Sequence, residues 1–133
     1  MIYGTQTDMR HIVIQDEATQ GTGAATARRL RFVNASTNAT AGDVFARSTT
    51  TGNPTGAATV SNIATGTTGT VSGSAYVEVP NANTFFQLFN TGTGTTGTVR
   101  STVDLTNLTL PTSRNATVIF TDATSGFAIP NCT

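Results

Sequence analysis

The chain has 133 residues and a formal net charge of zero, with seven arginines, no lysine and seven acids. Charged residues make up only 11% of it, against about 25% in an ordinary globular domain; 30 threonines with Ser, Asn and Gly supply the polarity instead. The length suits one domain with a single core; the lone Cys132 allows no internal disulfide, and no apolar run reaches the ~18 residues of a membrane helix.

Threonine is β-branched and uncharged, which suits a pleated, half-exposed surface better than a helix. Short apolar–polar alternations between Gly, Thr, Asn and Pro recur along the whole chain, and none has a 3.6-residue period. The first is 11–15 (HIVIQ), with Ile12 and Ile14 on one face and His11, Val13 and Gln15 on the other. Residues 18–27 (ATQGTGAATA) have the composition of a flexible linker. Strands are then expected at 29–34, 43–47, 58–63, 74–79, 84–89, 98–105, 116–121 and 126–129. Several read as one dry and one wet face: Ala75, Val77 and Val79 against Tyr76 and Glu78, and Val99, Val103 and Leu105 against Arg100, Thr102 and Asp104.

Eight or nine short strands without a helix predict a single antiparallel β-sandwich. It would span residues 28–133, with residues 1–27 as an extension carrying one extra strand on a flexible linker. The expected core is Leu30, Phe32, Val33, Val44, Val77, Val79, Phe86, Leu88, Val103, Leu105, Val118 and Phe120. The hexamer GTTGTV occurs at 66–71 and again at 94–99, and each copy reads as a hairpin loop.

No motif assembles a reactive site. The GTGTTG of 92–97 matches G-x-G-x-x-G, but a strand pattern follows where a dinucleotide fold needs a helix. His11 has no acid or cysteine at ligand spacing, and it is the one histidine that could serve a serine nucleophile such as Ser72 or Ser74. Among the carboxylates, Asp43 and Asp122 read as turn residues and Glu78 and Asp104 as exposed strand positions. Arg28 and Arg29 lie in RRLRFVN, whose alternating arginines read as a solvent face. No cofactor or metal pattern is found. A good nucleic-acid binder neutralises roughly 6–10 phosphates, so nearly every arginine would have to share one face, and nucleic acid is not the expected partner. Sequons stand at Asn34, Asn38, Asn107, Asn115 and Asn131.

Residues 29–45, RLRFVNASTNATAGDVF, resemble the signature of a bacterial extracytoplasmic domain of unknown function, approximately R-x-R-[VF]-V-[HN]-A-S-P-[DN]-A-P-x-V-D-V-[YF]. Arg31, Val33, Asn34, Ala35, Ser36, Ala39, Asp43, Val44 and Phe45 fit; Thr37 and Thr40 replace the two prolines. SAYVEVP, TFFQLF and the pair TVDLTNLTL and RNATVIFTD resemble later strands of the family, so the likeness covers about residues 28–122. It implies an immunoglobulin- or transthyretin-like sandwich at the cell surface or in the periplasm, with no enzymatic activity and no catalytic residues.

The expected function is that of a non-enzymatic, self-associating extracellular protein, a filament, surface-layer or coat subunit, with a virion as the alternative location. Its motive is HIVIQ: a tethered strand can pair with the open edge of a neighbouring sandwich. That makes His11, Ile12, Val13, Ile14 and Gln15 the candidate subunit interface and a homo-polymer or homo-oligomer the expected assembly. HIVIQ could equally fold back as an edge strand of its own domain. The competing function is a monomeric surface module binding carbohydrate or another ligand, which two tyrosines and no tryptophan equip poorly. Secretion implies a leader absent from this numbering.

Overall fold

The computed structural model describes residues 2–5, 8–14, 26–36, 40–65, 69–70, 74–108, 115–121 and 127–130. For 2–5, 8–12, 69–70 and 127–130 it describes the backbone alone. Among these residues every regular element is a strand: β1 (Ile2–Thr5), β2 (Asp8–Val13), β3 (Ala27–Asn34), β4 (Gly42–Arg47), β5 (Val60–Ile63), β6 (Gly69–Thr70), β7 (Val77–Pro80), β8 (Phe85–Asn90), β9 (Ser101–Asp104), β10 (Asn115–Phe120) and β11 (Phe127–Pro130). Two four-stranded sheets, ordered β11-β10-β3-β7 and β5-β4-β8-β9, share one core in a sandwich-like arrangement. A third, small sheet is ordered β1-β2-β6.

Alternation along each strand builds that core. Leu30 and Phe32 of β3, Val79 of β7 and Ala116, Val118 and Phe120 of β10 meet Val44 of β4, Ile63 of β5, Phe86 and Leu88 of β8 and Val103 of β9. Phe32 sits at the centre, its ring centroid 5.6 Å from that of Phe86 and 6.3 Å from that of Phe120. Eleven of the twelve expected core positions are buried; Val77 is half-buried at the rim. Val33 is buried on the opposite face, in a second cluster with Ala35 and Ile119.

Several expectations are corrected. The sandwich is not wholly antiparallel: β3 and β10 run parallel, in register from Asn115 beside Arg29 to Phe120 beside Asn34. Residues 66–71 do not close a hairpin, because β5 and β7, which flank them, belong to different sheets and Gly69–Thr70 joins β2 as a parallel partner. The second copy of the hexamer does lie in a hairpin, between the paired strands β8 and β9. The expected linker ends in strand, since β3 already begins at Ala27; residues 18–25 lie outside the described residues.

The outer face of the β3–β10 layer is not wet. All six residues of β10 are buried. Arg31, read above as solvent-facing, is 5% exposed: its Nε donates to Thr117 Oγ1 at 2.8 Å and its guanidinium lies 5.2 Å from the Tyr76 ring centre. Arg29 takes the same ring at 5.5 Å. A charge can be buried where hydrogen bonds and an aromatic face replace water, so polarity along β3 does not mean exposure.

Candidate functional site

Asn34, Ser36, Thr40 and Asp43, from the 29–45 segment, gather at one end of the sandwich, where the chain crosses from β3 to β4. Asn34 is fully buried; its Nδ2 donates to the carbonyls of Thr40 and Ile63, and its Oδ1 accepts from Ser36 N. Ser36 Oγ accepts from Arg100 Nη2 at 2.9 Å while Arg100 Nη1 reaches Thr40 O at 3.1 Å. Asp43 is no turn residue but a buried position of β4; Oδ1 accepts from Asn62 N and Oδ2 from Gly92 N, both at 2.8 Å. Asn62 needs such a hold, having a left-handed φ of 57° without being glycine. These bonds tie the β3–β4 connection, the β8–β9 connection and β5 together at one end of the fold.

The carboxylates do not meet. Asp43 lies opposite Phe89 and Asp104 opposite Phe85, four residues apart along β8, or about 13 Å at ~3.3 Å per residue. Paired glycosidic carboxylates stand within about 9.5 Å. Glu78 is exposed on β7 of the other sheet, and Asp122 lies outside the described residues. Among the described residues, no three His, Cys, Asp or Glu side chains group as metal ligands. Two sequons are closed by folding: Asn34 and Asn115 are fully buried, whereas Asn107 is exposed; Asn38 and Asn131 lie outside the described residues.

The three glycines of GTGTTG each have a packing reason. Gly92 takes φ 77°, a Cβ on Gly94 would fall on the Phe45 ring, and one on Gly97 would fall on Thr93. The loop closes over Phe45 and Phe89, which meet edge to face at 5.5 Å on the outer side of β4 and β8.

A shallow cavity of about 260 Å³ is lined by Phe45, Arg47, Asn53, Thr55, Thr59 and Asn83 among others. Arg47 spans its edge: Nη1 donates to Gly52 O and Gln87 Oε1, each at 2.7 Å, and Nη2 donates to Thr51 O at 2.8 Å. The guanidinium therefore holds its own loop.

The candidate interface is built differently. His11, Ile12 and Val13 lie in β2, which starts three residues before the expected segment; Ile14 follows the strand, and Gln15 lies outside the described residues. β2 pairs with β1 from Ile2 beside His11 to Thr5 beside Asp8, and with β6 at only two positions, Ile12 beside Gly69 and Val13 beside Thr70. At the end of β2 the faces separate: Val13 is 57% exposed, while half-buried Ile14 packs on Val33, Ala35 and Ile119. Those three residues come from β3, the residue that follows it and β10, and are at most 1% exposed. Sequence reasoning singled out Ile14 but not what it packs on, because Val33 and Ile119 meet only through the parallel pairing of distant strands.

No known family model, curated protein or solved structure matches the chain. No helix among the described residues is long and apolar enough to cross a membrane.

Proposed function

We propose that this chain is a non-enzymatic structural protein of the cell surface or extracellular space, a subunit of a filament, layer or coat that assembles through its N-terminal strand. The observation that carries the reading is the seat of Ile14. A side chain from outside the two sandwich sheets covers a dry patch on one of them, and its strand is held to β6 by a two-residue ladder. The polar chemistry elsewhere supports a structural role, because Asp43, Asn34, Arg31 and Arg47 hold backbone or neighbouring side chains. The likeness of residues 29–45 to an extracytoplasmic domain signature, with its immunoglobulin- or transthyretin-like sandwich, points to the same location. So does the low share of charged residues, 11%.

The test replaces Ile12 and Ile14 together by Asp in the full chain. Polymers are expected to disappear while cooperative melting of the sandwich persists. If the variant still polymerises, association runs through the threonine-rich faces instead. The cavity beside Arg47, with the side chains of Asn53, Thr55, Thr59 and Asn83 on its wall, favours a second reading as a module for a polar ligand such as a carbohydrate. Titration with mono- and disaccharides that shifted the amide resonances of Asn53 and Asn83 in a monomeric protein would establish that one.

A further inference from the structure

We propose that the Ile14 seat is exchangeable: in the assembly, Ile14 of one copy occupies the Val33, Ala35 and Ile119 socket of the next, and the single chain is the self-capped form. This rests on the reading of the chain as a self-assembling subunit and adds the acceptor, the closed state and the register of the joint.

Three features carry it. The socket is dry when filled, with Val33 and Ala35 fully buried and Ile119 1% exposed, so an emptied socket exposes apolar surface that a second copy can cover with identical contacts. Exchange of an identical element between copies is a low-cost route to association for that reason. Among the described residues, β2 is held to elements other than β1 by the two-residue ladder to β6 and by the packing of Ile14. The reach suffices. Residues 15–26 join Ile14 to β3, and twelve extended residues span up to about 40 Å, whereas a domain of this size has a radius of gyration of about 13 Å.

Each copy then donates one hairpin and offers one socket. A relay in which each fills the next is head-to-tail and open, the geometry of a filament; a reciprocal swap would close at two copies. Assembly is expected to show a lag and a steep concentration dependence, because every copy must first uncap.

The test is a cysteine trap in the full chain with Cys132→Ser as background. One batch carries Ile14→Cys alone and another Val33→Cys alone; the two are mixed, assembled, oxidised and run under denaturing, non-reducing conditions. A 14–33 cross-link in that mixture can only join different copies. The expected result is a covalent dimer from the mixture and a ladder of multimers from chains bearing both cysteines. Ile119→Cys in place of Val33→Cys repeats the test from the other wall of the socket, should either substitution disturb folding. Polymers that give only cross-linked monomers from the doubly substituted chain, and no dimer from the mixture, would overturn the exchange while leaving self-assembly intact. A wild-type chain that never polymerises would overturn both.

Discussion

Both sheets of this sandwich carry an apolar cluster on the outer face, and the two clusters are covered in opposite ways. Over β4 and β8, Phe45 and Phe89 are closed by the loop between β8 and β9, with Gly94 seated against the Phe45 ring. That loop is bound at both ends to strands of the sheet it covers. It is fastened by Gly92 N to Asp43 Oδ2 at 2.8 Å and by Thr93 Oγ1 to Asn90 O at 2.8 Å. Over β3 and β10, Val33, Ala35 and Ile119 are packed, among the described residues, against Ile14, which follows a strand that belongs to another sheet. A cover hydrogen-bonded into its own sheet is part of the fold. A cover that comes from a strand outside both sandwich sheets is the one we propose is traded between copies.

The most damaging change removes what both faces stand on. Phe32→Ala or Phe120→Ala empties the shared core, and truncating a buried Phe costs about 3–5 kcal/mol, comparable to a small domain's whole stability. Thermal melts of both variants are expected to fall far below wild type, with assembly lost along with folding. Wild-type melting in either would mean that the core is not where the structure puts it.

Next come changes confined to the permanent cover. Gly94→Ala drives a methyl into the Phe45 ring, and overpacking of this kind costs about 1–3 kcal/mol. Asp43→Ala leaves the amides of Asn62 and Gly92 without their acceptor, at about 1–3 kcal/mol for each that stays buried and unpaired. Denaturant melts are expected to show both losses while assembly, at a temperature where the variant is folded, proceeds as in wild type. Loss of polymers in Gly94→Ala would place the joint on the wrong face.

Ile14→Ala is expected to do the reverse. Fully burying an isoleucine stabilises by about 1.5–3 kcal/mol, so a half-buried one trimmed to alanine costs on the order of 1 kcal/mol. The melting temperature should fall less than for Gly94→Ala, by a few degrees at about 1 kcal/mol, while the concentration needed for assembly rises. An equal fall in melting temperature for Ile14→Ala and Gly94→Ala would erase the distinction between the two covers.

The smallest effect belongs to neither. Asp104 is exposed and its carboxyl is held below the usual carboxylate range by the Thr106 hydroxyl and the Thr106 amide. A lowered folded value means that its contribution is complete above the unfolded value and is lost as pH falls through the folded one. The difference in melting temperature between wild type and Asp104→Asn is therefore expected to be slight at neutral pH and to vanish in acid. A difference that grew in acid would reverse the sign of the shift.

Local periodicity made the strands legible, and with them most of the core. Leu30 and Phe32, Phe86 and Leu88, and Val118 and Phe120 stand two apart on one face, and the structure buries all of them. Pairing over long separations was not legible. Nothing near Arg29 signals that Asn115 will lie beside it in a parallel ladder. Arg31 read as surface because it is charged, and it is buried because Thr117, itself buried, accepts its hydrogen bond. The Phe45 and Phe89 cluster was missed for a related reason, since only the folded loop shows Gly94 lying on it. For the candidate site, Ile14 was visible in the alternation of five letters, and what it packs on needed the fold.

If the native protein is an assembly, light scattering of natively isolated material over a dilution series returns masses many times the 13.7 kDa of one chain, falling to single subunits only slowly because each hairpin must leave its neighbour's socket. A monodisperse 13.7 kDa species at every concentration would contradict it, leaving Ile14 as the permanent cover of its own domain.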